Sequence, residues 1–222
     1  MTKIYIVRHC EALGNIKRIF QGHTDLDISD LGALQLKNLE KRFDKIQLDK
    51  VISSPLLRAR KTALAIIGSK NLELETDEGL IELNGGIAEG NTFDATFEKY
   101  PEYGEIWKNH PYDWAPEKGE KMTDAYERIW ETITSIATEN RDKTIACASH
   151  GGVLRCLNCR LLNNNIKELA NTPWTENTGI TLIEFDNDLS YSLKFFNDTS
   201  HLTPELLNKK SSLSNSTAGD KR

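Results

Sequence analysis

The chain contains no apolar run long enough to cross a bilayer. Met1-Thr2-Lys3 leads straight into a strand-like stretch with no signal peptide ahead of it. Both absences lead us to expect a cytoplasmic protein. Neither a basic stripe nor a polybasic run is present: 28 Lys and Arg face 33 Asp and Glu, a net charge of -5. General binding to nucleic acid or to a membrane surface is therefore not expected. Cysteine is scarce, with four in 222 residues, far below the density of a disulfide-stapled secreted domain. Cys156 and Cys159 have CxxC spacing, but no second such pair exists to complete a zinc site. They are expected to pack as buried, reduced thiols. No Gly-rich loop with GxxxxGK[ST] spacing occurs, which argues against a P-loop enzyme. A cysteine phosphatase is excluded on spacing: the arginine that Cys10 or Cys147 would need six residues on is Ile16 or Val153. Internal repeats and metal-ligand clusters are absent from the sequence, so neither metal nor cofactor is expected.

What is present reads as alternating strands and helices. Short β-branched or apolar stretches predict strands over Lys3 to Val7, Lys50 to Ser53, Lys143 to Ala148, Gly179 to Phe185 and Tyr191 to Phe196. Helices are predicted between them. One is capped by Ser29-Asp30 and runs to Phe43, with Leu31, Leu34, Leu36 and Leu39 as its apolar stripe. A second spans Leu56 to Ile67 after Pro55, and a third spans Thr123 to Thr138 with Ala125, Ile129, Ile133 and Ile136 on one face. The alternation predicts a mostly parallel sheet covered on both faces. We expect a single domain over residues 1–205. At about 83–120 the chain turns polar and aromatic, through Phe93, Phe97, Tyr100, Tyr103, Trp107, Tyr112 and Trp114, which predicts a small helical cap whose aromatics mostly pack on one another. Residues 206–222 are too polar to bury a face and are expected to be a disordered tail.

The chemistry concentrates where strands end. Arg8 and His9 follow Ile4-Tyr5-Ile6-Val7 directly. A guanidinium offers a planar fork of donors to phosphate oxygens, and an adjacent imidazole can act as nucleophile. Two later segments, Ser53 to Thr62 and Ala148 to Val153, each follow a short apolar strand and bring Arg58 and His150 to the same sheet edge.

The order VRHCEALGN, SSPLLRARKTA, IELNGGIAEG and SHGGV resembles the histidine phosphatase superfamily, in its phosphoglycerate mutase-like branch with short insertions. The likeness covers roughly the first two hundred residues. It implies an α/β/α three-layer fold with a small helical cap, and a metal-independent phosphomonoester hydrolase acting on a small phosphorylated metabolite. It further implies that His9 forms a phosphohistidine and that Arg8, Arg58 and His150 clamp the phosphate. Asn15 is implied as a neutral donor in the pocket, Gln21 and Gly22 as a bordering loop, and Gly151 as a residue lining the phosphate beside His150. Glu82 falls at the proton-donor position of the third motif, where a carboxyl beside a bound phosphate dianion is expected to keep its proton until the ester oxygen leaves. Glu89 is the weaker alternative for that role and is read rather as a helix-start or turn carboxylate; His23, His110 and His201 are read as surface or loop residues.

Three positions depart from the family pattern. Cys10 replaces the glycine of Arg-His-Gly, and beside two arginines its thiol is expected to have a depressed pKa and to be open to oxidation. Gly85 and Ala88 replace an aromatic and a tryptophan, which predicts a more open pocket. A phosphoglycerate mutase is the alternative enzyme, but residues 91–118 carry only Lys99, Lys108 and Lys118 and no arginine with which to grip a carboxylate. A non-catalytic phospholigand-binding module is the alternative outside enzymology. The sequence leaves the oligomeric state and the identity of the ester open.

Overall fold

The structure, a computed structural model, describes residues 1–207. Six strands form one sheet: β1 (Thr2–Arg8), β2 (Lys50–Ser53), β3 (Leu74–Thr76), β4 (Thr144–Ser149), β5 (Ile180–Phe185) and β6 (Tyr191–Asp198). Their order is β3-β2-β4-β1-β5-β6. The four on the β3 side run parallel, whereas β5 is antiparallel to β1 and β6 to β5. The mostly parallel sheet follows the sequence expectation. β3 was not predicted: three residues at the sheet edge, partly exposed, leave too short an apolar signal.

Strand alternation sorts the core into two layers. Ile4, Ile6, Ile52, Ile145, Cys147, Ile183 and Phe185 face one side, where α6 (Met122–Glu139) and α7 (Gly151–Asn163) pack. Val7, Val51, Ala146, Ala148 and Ile180 face the other, against α2 (Asp30–Phe43) and α3 (Leu57–Ile67). The face read for α6 is the buried one, Ala125, Ile129, Ile133 and Ile136 included. That of α2 is rotated from the expectation. Gly32, Gln35, Leu39 and Phe43 are buried, whereas Leu34 is 47% exposed. Gln35 tolerates full burial because both ends of its amide are used: Oε1 accepts from the Glu11 amide at 2.8 Å and Nε2 donates to the Leu206 carbonyl at 2.9 Å. The Ser29 cap is formed, its hydroxyl accepting from the Gly32 amide at 2.9 Å.

Between the third-motif segment and α6 lie the short helices α4 (Phe93–Lys99) and α5 (Pro101–Asn109) and one 3₁₀ turn (Pro111–Asp113). Their aromatics gather around Phe20. Its ring stacks on Trp114 at 5.5 Å between centroids and meets Phe93 at 5.2 Å and Trp107 at 5.4 Å. Contacts of this kind contribute about 0.5–1.5 kcal/mol per pair beyond area burial. No helix among the described residues is long and apolar enough to cross a membrane. The expected tail begins at Leu206 and Leu207, which are described; residues 208–222 lie outside the described part of the chain.

Candidate active site

Because β1, β2, β3 and β4 are parallel, their carboxyl ends share one edge, and each hands a functional segment to it. His9 follows β1, Ser54 to Arg58 follow β2, Glu82 follows β3 and His150 follows β4. All four candidate side chains of the first, second and fourth motifs are buried: Arg8, His9, Arg58 and His150.

The His9 ring is fixed by its own loop. Nδ1 lies 2.6 Å from the Cys10 carbonyl, an oxygen that can only accept, so the ring proton sits on Nδ1 and Nε2 keeps its lone pair. Burial, then Arg58 and Arg8, hold the imidazole well below the usual histidine range, against the opposing hydrogen bond to Cys10. His150 lies 5.2 Å away between ring centroids. It too is held well below the usual range, by burial first and then by Arg58, His9, Arg8 and His23. The pair is thus neutral, between two guanidiniums.

Those guanidiniums are anchored on backbone carbonyls. Arg8 donates to the Thr175 carbonyl at 2.6 Å, and Arg58 to the Gly22 and Thr24 carbonyls at 2.8 and 3.0 Å. Each Nε is buried without a protein partner among the described residues, as is Nδ1 of His150. An unmade buried donor costs about 1–3 kcal/mol, and two guanidiniums with spare donors at one edge suit an anion.

Glu82 sits across the start of α7. Its Oε1 accepts from the Leu83 and Val153 amides, both at 2.9 Å, and its Oε2 from the Gly152 amide at 3.0 Å. The Gly151-Gly152 pair explains how two charged groups approach one helix end. A Cβ at 151 would stand 3.1 Å from Arg8 Nε, and one at 152 would stand 2.8 Å from Glu82 Oε1. Glu89 ties the 20s loop to this segment, accepting from the His23 and Gly85 amides at 2.9 Å and from the Thr24 hydroxyl. It is a turn carboxylate, as read. Gln21 is buried against Gly14, and Asn15 uses its Oδ1 to cap the Ala12 amide, with its amide NH₂ left to donate.

Two departures turn out differently from the expectation. Cys10 is fully buried, and burial pushes its thiol up to about 12, the opposite of the activated thiolate expected from its arginine neighbours. Its amide donates to the Thr62 hydroxyl at 3.1 Å, so the turn is held without glycine. The space vacated at Gly85 is occupied: a Cβ there would lie 2.4 Å from Phe20 Cε1. Phe20 supplies from another segment the bulk that the motif lacks at this position.

Sequence reasoning missed the loop before β5. Thr175 holds Arg8 through its carbonyl, and Asn177 donates to the His9 carbonyl at 2.9 Å. It also passed over Ser54, whose hydroxyl lies 2.6 Å from His150 Nε2. His23, read as a surface or loop residue, is exposed but donates from Nε2 to the Glu82 carbonyl at 2.9 Å. His201 is half-buried in a loop, and burial takes its imidazole down to about 4. Among the described residues no group of three or more His, Cys, Asp or Glu is placed to hold a metal ion.

A buried anion site built from neutral histidines and anchored arginines, on the carboxyl edge of a parallel sheet, defines a phosphate-handling α/β enzyme. The family follows from comparison: the histidine phosphatase superfamily (branch 1) matches residues 4–199, and the chain belongs to it. Phosphoserine phosphatase 1 of Hydrogenobacter thermophilus is 30% identical over 205 residues, 91% of this chain and 95% of that one. Among solved structures, Bacillus stearothermophilus YhfR superposes with a TM-score of 0.86 at 28% identity, covering 90% of this chain and 99% of that one. The H9A mutant of Entamoeba histolytica phosphoserine phosphatase, solved with phosphoserine, gives a TM-score of 0.79 at 28% identity, covering 91% and 100%. The chain is a histidine-phosphatase-type phosphoric monoester hydrolase.

Proposed function

We propose that His9 is the nucleophile, that Arg8, Arg58 and His150 bind the phosphoryl oxygens with Asn15, Gln21, Gly22 and Gly151 around them, and that Glu82 moves the proton. The observation that carries this reading is the His9 tautomer: Nδ1–H is committed to the Cys10 carbonyl, and the lone pair on Nε2 is free in a cluster of positive charge.

In the first step Nε2 attacks phosphorus and the P–O bond to the leaving group breaks. The departing alkoxide takes a proton from Glu82. In the second, water attacks the phosphohistidine, Glu82 takes back a proton, and inorganic phosphate leaves. Charge on the transferring group is met by the Arg8 and Arg58 donors and by His150. The substrate is a small phosphomonoester, and O-phosphoserine is the first to try, on the strength of the names its relatives carry. Four buried free thiols accord with a reducing, cytoplasmic setting.

Phosphorus NMR of the protein with O-phosphoserine, 3-phosphoglycerate and other monoesters, with and without 2,3-bisphosphoglycerate, tests the reading beside His9→Ala. Free phosphate that disappears with the substitution is expected. Conversion of 3- to 2-phosphoglycerate without free phosphate would make the protein a mutase. Tight phosphate binding without turnover of any ester would make it a binding module.

A further inference from the structure

His150 has one nitrogen against a hydroxyl and the other without a hydrogen-bond partner among the described residues. Nε2 and Ser54 Oγ are 2.6 Å apart, both residues are fully buried, and Nδ1 is buried without a protein partner among the described residues. A neutral imidazole carries one hydrogen, and its position decides whether Nδ1 presents a donor or a lone pair.

The hydrogen inventory at Ser54 settles that position. The Leu56 amide, which can only donate, points at Oγ from 3.3 Å and occupies a lone pair. The hydroxyl hydrogen therefore needs an acceptor, and the partner found for it among the described residues is His150 Nε2. Were Nε2 protonated, it would donate into Oγ and strand the hydroxyl hydrogen in a fully buried site. Nδ1 would then face the cluster as a bare lone pair. With Ser54 donating, both hydroxyl and imidazole are satisfied and Nδ1–H is left over.

We propose that Ser54 is a positioning residue that sets His150 in its Nδ1–H tautomer, so that the imidazole meets a phosphoryl oxygen as a neutral donor. It acts through His150 and not on the ester itself. The proposal rests on the phosphate-site reading above and extends it to a residue outside the nucleophile, clamp and acid. The arrangement mirrors His9 across the 5.2 Å gap between the rings. One neighbour, a carbonyl, spends the Nδ1–H of His9 and frees Nε2 to attack; the other, a hydroxyl, spends Nε2 of His150 and frees Nδ1–H to bind. Burial beside Arg58 keeps both rings neutral, which is the state in which a tautomer can be chosen at all.

Nitrogen-15 NMR of ligand-free protein labelled at histidine reads the tautomer directly, with His150→Gln to assign the signals. In the parent, His150 should show a protonated Nδ1 and an unprotonated Nε2. In Ser54→Ala a signal from protonated Nε2 should appear, and orthovanadate should bind roughly ten- to a hundredfold more weakly, the loss expected for one hydrogen bond to a charged ligand. Ser54→Thr, which keeps the hydroxyl, should restore the parent tautomer and binding. A parent signal with the hydrogen on Nε2 would overturn the proposal, and so would a Ser54→Ala protein that is folded and keeps Nδ1–H. Because tautomer and vanadate binding are read without turnover, failure of the hydrolytic reading would leave them intact and be told apart.

Discussion

Lowering the pH from 6.5 should unfold this protein faster than its carboxylates alone predict, because His9 and His150 must stay neutral in the native state. Both imidazoles are held well below the usual histidine range, by burial first and by Arg58 next. In the unfolded chain each titrates near 6.5. As pH falls through that value the unfolded state comes to bind up to two more protons than the folded one, so stability rises with pH and is lost as pH falls. The slope is about 1.4 kcal/mol per pH unit for each neutral ring, or roughly 2.7 kcal/mol per unit for the pair. That limiting slope is reached only well below 6.5; between pH 6.5 and 5.5 the pair costs about 2 kcal/mol, a sizeable share of the ~5–15 kcal/mol that stabilises a domain. Urea unfolding followed by tryptophan fluorescence at several pH values between 7.5 and 5.5 measures it. The double variant His9→Gln/His150→Gln removes both groups and should cut the loss between pH 6.5 and 5.5 by about 2 kcal/mol. An identical pH dependence in parent and double variant would refute the reasoning, for it would mean that the folded rings take up protons as freely as the unfolded ones.

Glu82→Gln should slow hydrolysis of an alkyl monoester by about 100-fold or more, because an alkoxide leaves only with a proton. Its effect on p-nitrophenyl phosphate, whose phenolate leaves unaided, should be under about tenfold; equal losses on the two substrates in steady-state assays would remove Glu82 from the proton-donor role. Gly85→Phe should destabilise the protein by about 3 kcal/mol in urea unfolding, through overpacking against the Phe20 ring 2.4 Å from the new Cβ. Adding Phe20→Ala should recover part of that loss, and a strictly additive double variant would show that the two rings do not share the space. Cys10 should resist iodoacetamide in the native protein and react only in urea, its thiol being buried and raised to about 12; rapid native labelling at Cys10, read by peptide mass, would contradict its placement.

The strands and the ends they carry were legible because β-branched runs, and the polar residues that stop them, are local signals. Arg8, His9, Arg58 and His150 each sit within a few residues of such a run, so the sheet edge could be read before any packing was known. The α2 face was misread because apolar periodicity counts Leu34 and not Gln35, and cannot see that a backbone amide and a distant carbonyl satisfy the glutamine. Asn177 and Thr175 hold the first motif from a loop some 168 residues away, with no period or motif to betray them. The Gly85 gap was visible, but its filling by Phe20 was not, since the ring arrives from a different segment. Cys10 failed as a prediction for a related reason: proximity to arginines in sequence says nothing of how deeply the thiol is buried.

The strand that carries the first motif is the first to be made and lies inside the sheet, with Lys3 paired to Thr144 on one side and Thr2 to Phe185 on the other. On a ribosome adding about 5–20 residues per second, β1 waits on the order of ten seconds for either neighbour. Its apolar residues Ile4, Ile6 and Val7, buried in the finished protein, have no docking strand during that interval. Catalytic geometry therefore cannot ripen by stages from the N-terminus: Arg8 and His9 acquire their positions when β4 and β5 close on both edges. In a refolding experiment, recovered phosphatase activity should keep pace with burial of the whole core, and no fragment ending before β4 should hold a phosphate.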